Sequence, residues 1–163
     1  MSTLAPMAER VAGLLKARGE TIAVAESSTG GFMAAALLSV PGASAFFVGG
    51  GVIYTQTSRS ALLGVDLDDH PGMRPSTEPY ARLMATSIRD RLGTTWALGE
   101  TGASGPGGNR YGDPAGHSCI AVVGPGSRST TIATGSADRE QNMWRFAAEA
   151  FELLEDVLGA PDK

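Results

Sequence analysis

A single cysteine, Cys119, is the only thiol in this sequence. One thiol cannot form an internal disulfide, and it excludes a zinc site built on several cysteines. Histidine is nearly as scarce: there are 2, His70 and His117, and neither has acidic partners at ligand spacing. Both read as surface or loop residues, and no metal or other cofactor is expected. Charged residues are only 18% of the chain, but a hydrophobic fraction of 42% argues against disorder or a coiled coil. The 13 basic residues are scattered and outnumbered by 17 acidic ones, for a net charge of −4. A duplex-binding surface needs a local basic patch, so nucleic acid is not an expected partner. Aromatic residues are sparse, and Trp96 and Trp144 read as packing residues.

A long hydrophobic run is also missing. Residues 27–58 carry no charge, but Gly30, Gly31, Pro41, Gly42 and the Gly49–Gly51 run interrupt them. A membrane-spanning helix needs about 20 consecutive apolar residues. The stretch reads instead as the buried centre of an α/β protein, with no membrane as partner. Glu9, Arg10, Lys16, Arg18 and Glu20 break up the first twenty positions, which do not read as a signal peptide. The cytoplasm is the expected compartment. The 163 residues suit one domain, spanning 1–163.

The patterning that is present predicts interleaved helices and strands. Residues 6–18 have an amphipathic period, ended by Gly19. Residues 21–25 (TIAVA) read as a buried strand, and 29–40 as a helix stopped by Pro41-Gly42. A second strand is expected at 52–54, after three glycines, then a short helix at 58–63. Residues 78–92 read as a helix capped by Ser76 or Thr77. A strand at 95–99 leads into a glycine- and proline-rich loop over 102–116. Residues 118–123 and 130–134 read as a hairpin, and 137–158 as a long last helix. The class is α/β, with helices on both faces of one sheet.

Three segments offer chemistry. Glu26-Ser27-Ser28-Thr29-Gly30-Gly31 joins a predicted strand to a helix. Its hydroxyls offer a nucleophile, and amides at a helix start can hold an anion or oxyanion. The plainer reading is a helix cap with glycines for close packing. Residues 102–108, with Gly102, Ser104, Gly105, Pro106, Gly107 and Gly108, form a loop able to bring amides close to a phosphate or carboxylate. In the third segment, Gly49 to Tyr54 precedes Arg59. Tyr54 could orient a ligand and Arg59 could pair with an anion. A packed tyrosine and a solvated arginine would look the same. Cys119 falls in a predicted buried strand, where a thiol is inert.

Together and in this order, AESSTGG (25–31), GGGVIYTQTSRSALLGV (49–65), TGASGPGG (101–108) and PAG (114–116) resemble the CinA C-terminal domain family. The resemblance covers nearly the whole chain. It implies a single-domain three-layer α/β/α sandwich with a mixed β-sheet, in a stand-alone form without a second, N-terminal domain. It implies a homo-oligomer, for which the apolar 34–47 region is an interface candidate beside its reading as core. The implied activity is deamidation of nicotinamide mononucleotide to nicotinate mononucleotide and ammonia through an acyl-enzyme, so the expected partner is a small-molecule mononucleotide.

In this resemblance Ser27 is the nucleophile, and Ser28 stands where many members have cysteine. Amides around Ser28, Thr29, Gly30 and Gly31 would form part of the oxyanion hole. Tyr54 and Arg59 would orient or polarise the substrate. Thr101, Gly102, Ser104, Gly105, Pro106, Gly107 and Gly108, with Glu26 and Arg139, would bind it. The family's basic lysine appears here as Arg59, which stays protonated and cannot accept the serine proton. Another base is then required, with Tyr54 and Glu26 as examples. A second family arginine, one turn after the position of Arg139, is Met143 here, with Arg145 nearby. The competing expectation is a homologue that binds a pyridine mononucleotide or related ligand without turnover.

Overall fold

The computed structural model describes residues 4–159. The chain runs as α1 (Ala5–Arg18), β1 (Ile22–Glu26), α2 (Phe32–Leu38), β2 (Phe47–Val52), α3 (Gln56–Ser58) continuing into a π-helical turn (Arg59–Leu63), α4 (Glu78–Leu92), β3 (Trp96–Ala103), β4 (His117–Val123), β5 (Arg128–Ala133) and α5 (Arg139–Gly159). Local chemistry sets several boundaries. Thr77, not Ser76, caps α4: its hydroxyl accepts from the Tyr80 amide at 3.4 Å, and Pro79 occupies the first turn. Asp138 accepts from the Gln141 amide at 3.0 Å and caps α5.

The strands form one mixed sheet in the order β2-β1-β3-β4-β5. β1 is parallel to β2 and β3, while β4 and β5 close the sheet as an antiparallel hairpin. Alternation sorts the side chains by size. Ile22, Val24, Leu98, Ile120 and Val122 face α1, α2 and α5 in the larger core. Ala23, Ala25, Ala97, Cys119 and Ala121 face α4 and the π-helical turn. Small residues let α4 lie close to the sheet, and helices cover both faces. The 34–47 segment is divided between core and surface: Ala36, Leu37, Val40, Ala43 and Phe46 are buried, whereas Leu38 is 66% exposed. Trp96 is buried, and Trp144 stacks on Phe32 with ring centroids 4.2 Å apart. Among the described residues, no helix is long and apolar enough to cross a membrane.

Three elements differ from the sequence expectation. The second strand is the glycine run itself, Phe47–Val52, rather than residues 52–54. A Cβ on Gly50 would run into the Val24 carbonyl, so glycine permits the close approach of β2 to β1. β3 extends to Ala103, which places Thr101 and Gly102 in the strand and shortens the loop. α2 begins at Phe32 rather than Thr29, because Gly30 and Gly31 turn the chain at φ 64° and 104°.

Candidate functional site

Parallel pairing explains why distant motifs meet. β1, β2 and β3 all point the same way, so the 26–31, 53–59 and 101–108 segments leave the same edge of the sheet. Two antiparallel steps turn β5 back into that direction, and α5 therefore starts at this edge with Arg139. Strand order also reverses at β1, the place where open α/β sheets hold ligands.

Two buried carboxylates hold the 26–31 turn. Glu26, at the end of β1, accepts from the amides of Gly31 (3.2 Å), Met33 (2.9 Å) and Ala34 (2.9 Å). It thus caps α2 from the neighbouring strand. Burial pushes its carboxyl above the ordinary value of 4.5, the Glu100 charge adds to this, and the Ala34 and Met33 amides oppose it. Glu26 is 1% exposed and lines neither cavity described below, so it is a structural cap rather than the free base or ligand contact expected from sequence.

Glu100, on β3, is fully buried and accepts from five donors. One oxygen takes the amides of Ser27 (3.1 Å) and Thr29 (2.9 Å) and the Thr29 hydroxyl (3.0 Å). The other takes the hydroxyls of Ser28 (2.5 Å) and Ser118 (2.9 Å). Sequence reading missed Glu100. The signal was there: it is the one charged residue in the uncharged stretch 94–109. A buried glutamate without donors is rarely tolerated.

These bonds decide among the three hydroxyls. Ser28 and Thr29 are tied to Glu100, while the Ser27 hydroxyl has no hydrogen-bond partner among the described residues. The amides sort the same way. Thr29 donates to Glu100, Gly30 to the Ser27 carbonyl and Gly31 to Glu26. The expected set of amides at Ser28, Thr29, Gly30 and Gly31 therefore reduces to Ser28, which has no acceptor among the described residues. Thr29, Gly30 and Gly31 line neither cavity.

Ser27 opens onto a cavity of about 590 Å³ whose lining includes Tyr54, Arg59, Tyr80, Thr101 and Tyr111. Arg59 is 6% exposed, held on the π-helical turn, and its Nη1 donates to the Tyr80 hydroxyl at 3.4 Å. Ser76, at φ 61°, donates its amide to Thr101 Oγ1 at 3.0 Å, and its carbonyl accepts from His117 Nε2 at 2.9 Å and from Cys119 Sγ. His117 is thus a strand residue bracing the cavity wall rather than a loop histidine. Burial pushes the Cys119 thiol above its ordinary value.

A second cavity of about 310 Å³ adjoins the first through Tyr54, Gly102 and Asn109. Its other lining includes Ser28, Ser104, Gly105, Gly107, Gly108 and Arg139. Pro106, joined to Gly105 by a cis peptide, does not line it. Arg139 donates to the Gly105 carbonyl at 2.5 Å and to the Tyr54 hydroxyl at 3.2 Å, linking three elements across the edge. Buried Asn142 ties α5 to the loop through the Ser104 carbonyl at 2.8 Å. The loop braces itself through Asn109 and Asp113, and Arg74 holds Asp113 below its ordinary carboxylate value. Met143 packs toward Gly30, and Arg145 pairs with Glu149 and Glu152 along its own helix.

This arrangement has clear relatives. The chain is 44% identical over 153 residues to a CinA-like protein of Gloeobacter violaceus, covering 91% of this chain and 35% of that protein. It is 39% identical over 150 residues to a CinA-like protein of Myxococcus xanthus, covering 90% and 35%. The chain thus spans about a third of the length of the curated relatives it matches. Among solved structures, the competence damage-inducible protein A (ComA) of Klebsiella pneumoniae superposes with a TM-score of 0.90 at 26% identity, covering 98% of this chain and 99% of that one. The competence/damage inducible protein CihA of Agrobacterium tumefaciens gives 0.87 at 26% identity, covering 94% of each. A family model described as the CinA C-terminal domain matches residues 4–158. With its mixed sheet, its three convergent motifs and this match over nearly its whole length, the chain belongs to the CinA C-terminal domain family.

Proposed function

We propose that this protein is an amidohydrolase that converts nicotinamide mononucleotide to nicotinate mononucleotide and ammonia. One observation carries the reading: of three adjacent hydroxyls, only that of Ser27 is uncommitted among the described residues, and it faces the larger of the two cavities. The Ser27 oxygen attacks the carboxamide carbon. The carbon–nitrogen bond then breaks, and ammonia leaves with the hydroxyl proton. Water next cleaves the acyl ester, releasing the acid and restoring the serine. The uncommitted Ser28 amide would meet the developing oxyanion. The smaller, glycine-lined cavity with Arg139 suits the phosphate. The test is ammonia and nicotinate mononucleotide release by the wild type and Ser27→Ala. Release that disappears in Ser27→Ala supports the reading, and a wild type no faster than that variant overturns it.

Arg59 favours a second reading, a protein that binds the mononucleotide without turning it over. A guanidinium stays protonated and cannot take the Ser27 proton. Loss of a general base costs about 10²–10⁴-fold in rate. Melting shifts with mononucleotides in the absence of ammonia release would favour this second reading.

A further inference from the structure

Arg59 is an anomaly among the buried charges. Glu26 has three donors and Glu100 has five. Arg59, 6% exposed, has no carboxylate within ion-pair distance among the described residues. Its Nε is buried without any hydrogen-bond partner among the described residues. Among the described residues its one polar contact is the long bond from Nη1 to Tyr80, whose ring centroid lies 5.9 Å from the guanidinium carbon. A buried charge without a counter-charge is costly, and that cost is relieved when an anion arrives.

The geometry also constrains which anion. Nε and Nη2, neither bonded within the described protein, form the side of the guanidinium that matches a carboxylate bidentately. Tyr54, Tyr80 and Tyr111 line the same cavity and suit a planar aromatic ring. The phosphate already has a candidate place among Gly105, Gly107, Gly108 and Arg139 in the other cavity. We propose that Arg59 is the receptor for an aromatic carboxylate, so that this site holds the acid form of its mononucleotide in preference to the amide. The inference rests on the mononucleotide reading of these cavities and holds whether or not the protein turns the amide over. With turnover, it makes the product the tighter ligand. Without turnover, it makes the acid the natural occupant.

The test is calorimetric binding of nicotinate mononucleotide, nicotinamide mononucleotide, nicotinate and inorganic phosphate to wild type, Arg59→Met and Arg59→Lys. Hydrogen bonds to a charged partner are strong enough to favour the acid mononucleotide by about ten- to hundredfold in the wild type. Arg59→Met should erase that preference, with the acid losing more affinity than the amide, and Arg59→Lys should keep part of it. Ligand-free Arg59→Met should melt no lower than wild type, because it removes an uncompensated charge. Three results overturn the inference. One is an acid preference that survives in Arg59→Met. Another is an equal loss for acid and amide, which would put the phosphate on Arg59. The last is a collapse in melting temperature, in Arg59→Met and Arg59→Lys alike, which marks a structural residue. If neither mononucleotide binds the wild type, the mononucleotide reading itself fails, and with it this inference.

Discussion

Replacing Glu100 with alanine should detach the 27–29 turn from the sheet. The truncation strands two backbone donors, the amides of Ser27 and Thr29, whose acceptor is the Glu100 carboxylate. Each unsatisfied buried donor costs about 1–3 kcal/mol. The hydroxyls of Ser28, Thr29 and Ser118 can rotate toward other acceptors and add less. Removing a buried charge returns part of its desolvation cost. The net loss should be about 2–5 kcal/mol, a large share of the 5–15 kcal/mol typical of a domain. For a chain of this size that lowers the melting temperature by about 5–15 °C. Glu100→Gln is the informative partner. Its amide oxygen can keep the two backbone donors, while its NH₂ faces Ser28 and Ser118, whose hydroxyls can reverse and accept. Urea unfolding of both variants measures the difference. Glu100→Gln should lose about 1 kcal/mol. A loss below about 1 kcal/mol in Glu100→Ala would refute the claim that these bonds hold the turn. An equal, large loss in both would mean that charge, not donor pairing, does so.

Two further outcomes follow from burial and packing. Because burial raises the Glu26 carboxyl above 4.5, the folded state holds that proton more tightly than the unfolded chain. Stability relative to Glu26→Gln should therefore fall as pH climbs from 4.5 through the raised value, then level off. A rise over that range in paired denaturant titrations would contradict the assignment. Gly99→Ala would place a methyl against the Ala81 carbonyl and Ala85 in α4, forcing that helix off the sheet. It should cost about 3 kcal/mol or more, and a melting temperature within 2 °C of wild type, on the order of 1 kcal/mol, would show that α4 yields cheaply.

Much of this architecture was legible in the sequence because it is fixed locally. The α4 bounds, 78–92, were read correctly beside a hydroxyl cap at Ser76 or Thr77, of which the structure selects Thr77. The β4–β5 hairpin followed from a β-rich pattern broken at Gly124 to Gly126. The motif segments meet because parallel strand ends bring them to one edge. What escaped was decided by tertiary neighbours. The Phe47–Val52 strand is hidden in glycines that carry no strand propensity and are explained only by the approach to Val24. Glu26 looked like a site acid until the amides of α2 were seen to occupy it. Glu100 acquires a role only once Ser27, Ser28 and Thr29 fold over it. The isolation of Arg59 is a three-dimensional fact, because spacing along the chain does not say which carboxylates stay away.

The capping of α2 by Glu26 ties the site's formation to the sheet. α2 has seven residues, too few to persist alone, and its Met33 and Ala34 amides are satisfied by Glu26 of β1. The turn bearing Ser27 is thereby fastened at both ends to strands, through Glu26 on β1 and Glu100 on β3. A peptide carrying residues 25–40 would bring the hydroxyls and the glycines but not the Glu100 carboxylate that orders them. The turn bearing Ser27 therefore forms only together with the sheet, and its protected amides should exchange with solvent only when the central strands separate.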